Sequence, residues 1–370
     1  MLPTLKEESI EQDAAEQLTA ALREIPFLSK AAIRRASTRG DSRIDFILAI
    51  RSAAGRSAAG RSAAIRSAAK DRRLVCRAES SGQPRIAREA CLELVDYARS
   101  DKRAYPVFIA PYVSPEAAAI CDDYQAGYFD FAGNCRLAFD RVYIRREGFP
   151  NPSAQKRDLR SLYSPKAERV LRVLLAAGRR TWRMQELADE AEVSLGQAAN
   201  VKKQLLNREW VETDAAGLRL RSFDDAVLPL LTEWAGNYRM ERSAASEYYS
   251  LKPIPQIEAE LANAKVHLSF TGFSGAARFA PAVRYQRATA YLLGDRSALA
   301  KRLALKPVPS GGNVTLIGPY DAGVFYGTRK VEGAPVVSAV QLFLDLRQMK
   351  GRGEEAASAI LEGTIRPQWR

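Results

Sequence analysis

The stretch from residue 164 to residue 222 constrains the fold most, because its apolar spacing changes from helical to strand-like within a short span. Apolar residues at helical spacing predict a first helix that stops at Gly178: Val170, Leu171, Val173, Leu174 and Leu175. A short strand at Trp182 follows, and Met184, Leu187 and Ala188 predict a second helix. The stretch is therefore one compact unit of helices that ends in strands.

A third helix is predicted from Ser194 to about Arg208, because the Ser194 oxygen suits the N-cap position. At about 100° per residue, one helix face is apolar and consists of Ala198, Val201 and Leu205. The opposite face is free to enter a groove and carries Gly196, Asn200, Lys203 and Asn207.

A hairpin follows the third helix, with Trp210 to Glu212 as one strand and Leu218 to Leu220 as the return. Three helices and a hairpin predict a winged helix-turn-helix over residues 153–222. The tip and return strand of the hairpin are expected to hold Arg219 and Arg221 for phosphate contacts. The exposed amide and amine side chains of the third helix are of the types that read base edges. The predicted DNA-binding residues are Ser194, Gln197, Asn200, Lys202, Lys203, Asn207, Arg219 and Arg221. The alternative is that this shape serves only protein contacts.

Composition supports a globular protein with a polyanionic partner. The 370 residues are 46% hydrophobic, and no run of about 18 apolar residues predicts a membrane span. The charged N-terminus does not fit a secretory signal, so a cytoplasmic protein is expected. Lys and Arg exceed Asp and Glu by 56 to 43, and residues 51–105 and 151–222 are both basic.

Residues 1–152 predict an α/β domain. Residues 9–24 form a helix capped by Ser9, and residues 43–50 and 72–79 form a hairpin. A helix from about residue 86 to residue 98, a strand at residues 105–110 and a helix capped by Ser114 follow, and then further strands. A repeat between the hairpin strands places Arg51, Arg56, Arg61 and Arg66 at a period of five. It is interpreted as an insertion at a loop tip, with a basic arm that touches phosphate as the alternative.

Asp45 on the first hairpin strand, the motif on the second strand before SSGQPR and the basic helix behind it resemble the PD-(D/E)XK nuclease fold. In that family an Asp and a Glu-x-Lys bind a divalent metal and activate water. Here the second strand reads Arg77-Ala78-Glu79, so Asp45 and Glu79 are only vestigial catalytic candidates. The prediction is a degenerate, non-catalytic nuclease-like domain. The alternative is a Mg²⁺-dependent nuclease that uses Asp45 and Glu79 with a displaced lysine such as Lys70.

Neither the cysteines nor the histidine predict a metal or cofactor site. The four cysteines, Cys76, Cys91, Cys121 and Cys135, include no CxxC pair. The one histidine, His267, lies on an apolar, strand-like run and is interpreted as structural.

Residues 223–370 predict an α+β C-terminal domain. The motif Thr271-Gly272-Phe273-Ser274-Gly275 resembles the Gly-Ser turn of nucleotidyltransferases, but the following strand offers only Asp295, at its end, to hold Mg²⁺. A glycine-rich strand-to-helix turn is therefore the preferred interpretation.

Three blocks together resemble the AbiEi family of type IV toxin-antitoxin antitoxins and transcriptional regulators. They are the N-terminal domain, the helix motif SLGQAANVKKQLLNREW, and the C-terminal motifs TGFSGAARFAPAVRYQRATAY and VVSAVQLFLDLRQMKGRGEEAASAIL. The resemblance implies a non-catalytic repressor that binds double-stranded DNA and whose gene neighbour often encodes a nucleotidyltransferase toxin. The flanking domains would add phosphate contacts, a homodimer contact or a toxin-binding surface. A purely protein-binding antitoxin is the other alternative.

Overall fold

The chain is a mixed α/β protein of two compact units, residues 1–156 and 157–370. The computed structural model describes residues 5–24, 32–36, 44–51, 72–140, 142–151, 162–279 and 285–370. Within these ranges there are twelve α-helices, and each unit contains a seven-stranded sheet. No helix in these ranges has both the length and the apolar character needed to cross a membrane.

The first unit alternates helices and strands after an opening helix. Its helices are α1 (Leu5–Arg23), α2 (Pro84–Arg99) and α3 (Pro115–Asp123). Its strands are β1 (Ala32–Ala36), β2 (Phe46–Arg51), β3 (Arg72–Ala78), β4 (Ala104–Ala110), β5 (Gly127–Asp130), β6 (Cys135–Phe139) and β7 (Val142–Arg146).

The strands of the first unit lie in sequence order from β1 to β7, with parallel pairing only where β4 meets β3 and β5. Successive side chains of β2 point to opposite faces of the sheet, and each face is covered by a different helix. Phe46 packs in the core that contains Leu18 and Leu22 of α1, whereas Ile47 packs with Leu94 of α2. Successive strand side chains point to opposite faces, so an apolar run such as β2 fills both cores.

Most elements predicted for this unit are confirmed, including the β2–β3 hairpin, α2, β4 and the N-cap of α3 at Ser114. The predicted start of α1 at Ser9 is wrong, because the helix begins at Leu5. Asp45 lies just before β2 rather than on it. Strand β1 was not predicted. The repeat with Arg56, Arg61 and Arg66, and also Lys70, lies outside the described residues.

The second unit begins with three helices and a hairpin: α4 (Pro165–Ala176), α5 (Met184–Glu190), α6 (Leu195–Asn207), β8 (Val211–Asp214) and β9 (Gly217–Leu220). The later helices are α7 (Leu228–Asn237), α8 (Ile254–Ala262), α9 (Gly272–Phe279), α10 (Arg296–Arg302), α11 (Ala339–Arg347) and α12 (Gly353–Ile360). The later strands are β10 (Ala244–Tyr249), β11 (His267–Phe270), β12 (Ala288–Leu293), β13 (Lys306–Pro307), β14 (Val314–Gly318), β15 (Arg329–Val331) and β16 (Ala334–Val336).

The sheet of the second unit has the strand order β13-β10-β14-β12-β11-β16-β15, so most neighbouring strands are distant in sequence. One core lies under α8 and α10, and the other contains α11, α12 and the helices of residues 162–222. Ser222 caps a π-helix at Phe223–Val227 that leads into α7. The division of this unit at residue 222 stays a prediction.

A network of buried polar side chains joins α4 to the rest of the second unit. The fully buried Arg172 donates from Nε and Nη2 to Gln341 Oε1, at 2.9 and 2.7 Å, and from Nη2 to the Tyr320 hydroxyl at 2.8 Å. Its Nη1 forms an ion pair with Oε2 of the equally buried Glu168 at 3.7 Å. Glu168 also accepts from the Trp234 indole at 3.3 Å and from the Tyr320 hydroxyl.

The network continues to a buried carboxylate, Asp345. The hydroxyls of Tyr238, Tyr291 and Thr271 donate to it at 2.8, 3.0 and 2.5 Å, and the Gln341 amide donates at 2.9 Å. Burial raises the pKa of Asp345, and the four hydrogen bonds offset part of that effect. Buried polar groups are tolerated when each has partners, so this core depends on its hydrogen bonds as well as on apolar contact.

Arg172 keeps its charge within this core. Burial alone lowers the pKa of the guanidinium, but Tyr320 and Glu168 outweigh that effect, and the pKa lies above its ordinary value. Removing one partner of a buried ion pair leaves the other charge without compensation.

We therefore expect Arg172→Met to lower the free energy of unfolding of the second unit by about 3–5 kcal/mol, because Glu168 would keep a buried charge without its cation. The double variant Glu168→Gln/Arg172→Met should recover much of this loss. All four tryptophans lie in the second unit, so their fluorescence during urea unfolding of the whole chain reports on it. Unfolding of Arg172→Met at the parent's urea concentration would contradict this role.

Candidate nucleic-acid interface

Helix α6 begins after a tight turn that local residues define. Helix α5 ends at Glu190, and Glu192 takes a positive φ of 52° before the chain reaches Ser194. Ser194 is the N-cap of α6, as predicted, and its hydroxyl accepts from the Gln197 NH at 3.2 Å. The cap fixes where the helix starts, because the first NH groups of a helix lack partners within it.

The faces of α6 follow the predicted division. Ala198, Val201 and Leu205 are fully buried. On the face predicted to lie opposite, Gly196, Asn200 and Lys203 are exposed and Asn207 is half-buried. Of the other predicted DNA-binding residues of α6, Ser194 is exposed, and Gln197 and Lys202 are half-buried. One side of α6 therefore holds the helix in the core, and the other presents amide and amine groups.

The hairpin after α6 is fixed to the segment between α4 and α5. The NH of Trp182 donates to the Leu218 carbonyl at 2.7 Å, and the NH of Leu218 donates to the Trp182 carbonyl at 2.8 Å. This close approach requires Gly217, which has a φ of 141° and at which a Cβ would lie 2.3 Å from the Trp182 oxygen. The predicted short strand at Trp182 is thus a single antiparallel β-bridge to Leu218 at the edge of the hairpin.

The hairpin carries acidic partners for its arginine. Arg219 lies on β9, where it contacts Glu212 of β8 at 2.8 Å and Asp214 at 3.3 Å. The hydrogen bond to Glu212 raises the pKa of Arg219. The turn itself contains Asp214, whose carboxylate accepts from the NH groups of Ala216 and Gly217. Arg219 thus lies on the return strand, as expected, but its charge is already paired with two carboxylates. Its phosphate contact stays a prediction.

Arg221 lies after β9, beside the C-terminal end of α6. Its Nη1 donates to the Glu209 carbonyl at 3.2 Å, and its NH donates to the Trp210 carbonyl at 3.0 Å. Among the described residues, no carboxylate lies within ion-pair distance of Arg221, Lys202 or Lys203. These three cations are thus better placed than Arg219 to contact phosphate.

Two arginines near the hairpin were missed from the sequence. Arg183 is exposed, and the pairing of Trp182 with Leu218 places it opposite Gly217 on the outer face of the hairpin. Arg180 stacks over the Trp182 ring at 3.7 Å and forms an ion pair with Glu186. The basic residues around Trp182 and the strand Leu218–Leu220 were visible in the sequence, but the pairing between the two segments was not.

The residues for which the sequence predicted a vestigial nuclease site lie around Arg77. The Arg77 Nε contacts Glu79 at 2.7 Å, and its Nη1 contacts Glu93. Asp45 accepts from the Ala78 NH at 2.7 Å, and burial is the main reason why its pKa is raised. A guanidinium thus lies between the carboxylates at the place where the nuclease pattern has an acid. Among the described residues, no group of three or more His, Cys, Asp or Glu side chains is arranged to hold a metal ion.

Comparison with known proteins gives one family match. Residues 227–366 match the family described as transcriptional regulator, AbiEi antitoxin, of the type IV toxin-antitoxin system. The matched region starts after the helices and hairpin of residues 162–222 and covers the second sheet with its helices. No curated protein and no solved structure matches the chain.

Replacing Gly217 with Ala should destabilise the hairpin by about 1–3 kcal/mol, because the new Cβ would clash with the Trp182 carbonyl and φ is unfavourable. The control is Gly196→Ala in α6, where a Cβ meets nothing within 4 Å and helix propensity favours alanine by up to about 1 kcal/mol. Urea unfolding of both variants, followed by tryptophan fluorescence, checks that Gly217→Ala lowers the free energy of unfolding and that Gly196→Ala does not. Equal stability of the two variants would show that the contact between Gly217 and Trp182 does not constrain the hairpin.

Proposed function

We propose that residues 162–222 form a winged helix-turn-helix that binds double-stranded DNA, and that the chain is a transcriptional regulator of the type IV antitoxin kind. The observation that carries the proposal is the exposed face of α6 with Asn200 and Lys203, which projects from a helix whose other face is buried. The family match of residues 227–366 supports the regulatory role.

The side chains of α6 suit direct readout in a major groove. An asparagine can donate to and accept from one adenine edge, and a glutamine can do the same, so Asn200 and Gln197 are the proposed base readers. Lys203 is exposed on the same side, where it can reach a guanine edge or a phosphate. Ser194 and Asn207 would complete the contacts at the two ends of the helix.

Phosphate contacts are proposed for Lys202, Arg221 and Arg219, with unequal weight. Lys202 and Arg221 can add a positive charge directly. Arg219 must first exchange Glu212 and Asp214 for a phosphate, so its net contribution is smaller. Arg183 on the outer face of the hairpin is an additional candidate.

For the first unit we propose a restriction-endonuclease-like domain that does not cleave DNA. The β2–β3 hairpin followed by α2, β4 and α3 supports the fold, and Arg77 beside Glu79 and Glu93 supports the loss of metal-dependent chemistry. A cation of the protein itself opposes the entry of Mg²⁺ among these carboxylates.

The region that matches the antitoxin family is the proposed surface for a protein partner, a nucleotidyltransferase-type toxin. Homodimerisation is compatible with the same proposal, because DNA regulators commonly bind paired half-sites. A protein-binding role without DNA is the competing function, and the DNA experiment below separates the two.

Asn200→Ala should weaken binding to the DNA upstream of the protein's own gene by about 1–3 kcal/mol and leave binding to a scrambled duplex nearly unchanged, because it removes a base contact. Asn263→Ala, at the exposed C-terminal end of α8, is the matched control. The measurement is a pair of binding isotherms on the two duplexes. If Asn200→Ala binds both like the parent, α6 is not in a groove and the protein-binding function takes precedence.

Lys202→Ala and Arg221→Ala should each reduce the slope of log affinity against log salt by about one unit on both duplexes, because each is proposed to contact a phosphate. Arg219→Ala should change that slope less, because its charge is already compensated by Glu212 and Asp214. A salt series on the three variants tests this order. A larger effect for Arg219 than for Arg221 would show that the hairpin releases its carboxylates on binding.

Incubation of the full chain with Mg²⁺ or Mn²⁺ should leave plasmid, linear duplex and single-stranded DNA intact, because Arg77 lies among the carboxylates. Gel electrophoresis is the measurement. Cleavage that Asp45→Ala abolishes would establish the nuclease alternative instead.

A further inference from the structure

The turn between α5 and α6 is held by a loop that is distant in sequence. This loop, residues 320–327, follows β14. It contacts Glu190 directly, and it reaches Glu192 through Arg169 of α4. Glu190 ends α5, and Glu192 has the positive φ that redirects the chain toward α6. The orientation of α6 therefore depends on contacts from outside the helices and hairpin of residues 162–222.

The first contact is a forked ion pair through Arg169 of α4. Its Nε and Nη2 donate to the two carboxylate oxygens of Asp321 at 2.7 and 3.1 Å, and its Nη1 donates to Glu192 at 2.8 Å. The side chains of Arg169 and Asp321 are only 13% and 10% exposed, so solvent screens their interaction less than at an open surface. Burial alone raises the pKa of Asp321, but Arg169 and the Gly323 NH outweigh it and lower that pKa.

The second contact reaches the other side of the turn. The Tyr326 hydroxyl donates to Glu190 Oε1 at 2.8 Å. Partial burial and this hydrogen bond raise the pKa of Tyr326. The loop also fits closely at Gly323, where a Cβ would lie 2.8 Å from the Arg169 Cγ. Both sides of the turn are thus attached to one loop of the region that matches the antitoxin family.

We propose that Asp321 and Tyr326, acting through Arg169, Glu190 and Glu192, are positioning residues that set the orientation of α6 for reading DNA sequence. This inference rests on the proposed DNA-binding function. Helix α4 is already fixed in the core by Arg172. The turn is then the place where a small shift would rotate the exposed face of α6. Hydrogen bonds to base edges are strongly directional, whereas long lysine side chains follow a phosphate through such a shift.

The consequence is a specific pattern of DNA binding. Loss of the loop contacts should reduce affinity for the operator and leave non-specific affinity intact, because only base readout requires a fixed helix orientation. A partner that moves residues 320–327 would thereby change sequence recognition without touching DNA.

The test compares Asp321→Asn, Tyr326→Phe and the double variant with the parent on the upstream duplex and on the scrambled duplex. We expect the double variant to lose about tenfold in operator affinity, the worth of one base contact, while binding to scrambled duplex stays within about twofold. Asp321→Glu should retain the operator affinity better than Asp321→Asn. The control is Tyr249→Phe, since Tyr249 is an exposed tyrosine of β10.

Hydrogen exchange without DNA gives an independent readout. The NH groups of Glu192 and Val193 donate within the turn, to the carbonyls of Asp189 and Ala188, and should exchange faster in the double variant. Unchanged exchange, or equal losses on both duplexes, would overturn the positioning role. If the parent protein binds the two duplexes equally well, the proposed DNA-binding function fails. The exchange measurement still tests the loop in that case: faster exchange in the double variant shows that the loop holds the turn, and unchanged exchange shows that it does not.

Discussion

The second unit depends on the burial of one arginine. Arg172 lies in α4, a helix surrounded by core residues, and its guanidinium is fully buried. Its partners Glu168, Gln341 and Tyr320 come from two helices and a loop, and Gln341 is 169 residues away in sequence. Because an unpaired buried charge is costly, every one of these segments has to be in place before α4 is stable in this position. The helices and hairpin of residues 162–222 are thus tied to the sheet by electrostatic partners as well as by apolar packing.

Local signals predicted the local elements well. The N-cap positions of Ser114 and Ser194 follow from side-chain chemistry that acts over three residues, and β2 and β3 follow from composition and spacing. The division of α6 into a buried and an exposed face follows from helical geometry alone. These features need no knowledge of distant parts of the chain.

The features that the sequence did not reveal depend on long-range pairing. Trp182 and Leu218 were each predicted to lie on a strand, but neither segment alone indicates that the two residues pair. Arg219 was chosen for its charge, and the carboxylates that compensate it became evident only from the register of β8 and β9. Arg172 and Asp345 are charged residues that composition would place at a surface, and only the assembled core explains their burial. Within the candidate site, α6 and its exposed face could therefore be predicted from the sequence. The partners of the hairpin residues and the supporting loop could not.

The Arg172 network also limits which segments of this chain can be exchanged with other proteins by recombination. A recombination event that joined residues 162–222 to an unrelated sheet would separate Arg172 from Gln341 and Tyr320, and Glu168 from Trp234. The transferred helices would carry Arg172 and Glu168, two buried charges whose partners the recipient's core lacks. Exchange of the helices and hairpin between proteins would therefore require these polar residues to be replaced together with the segment, or the whole second unit to move as one piece.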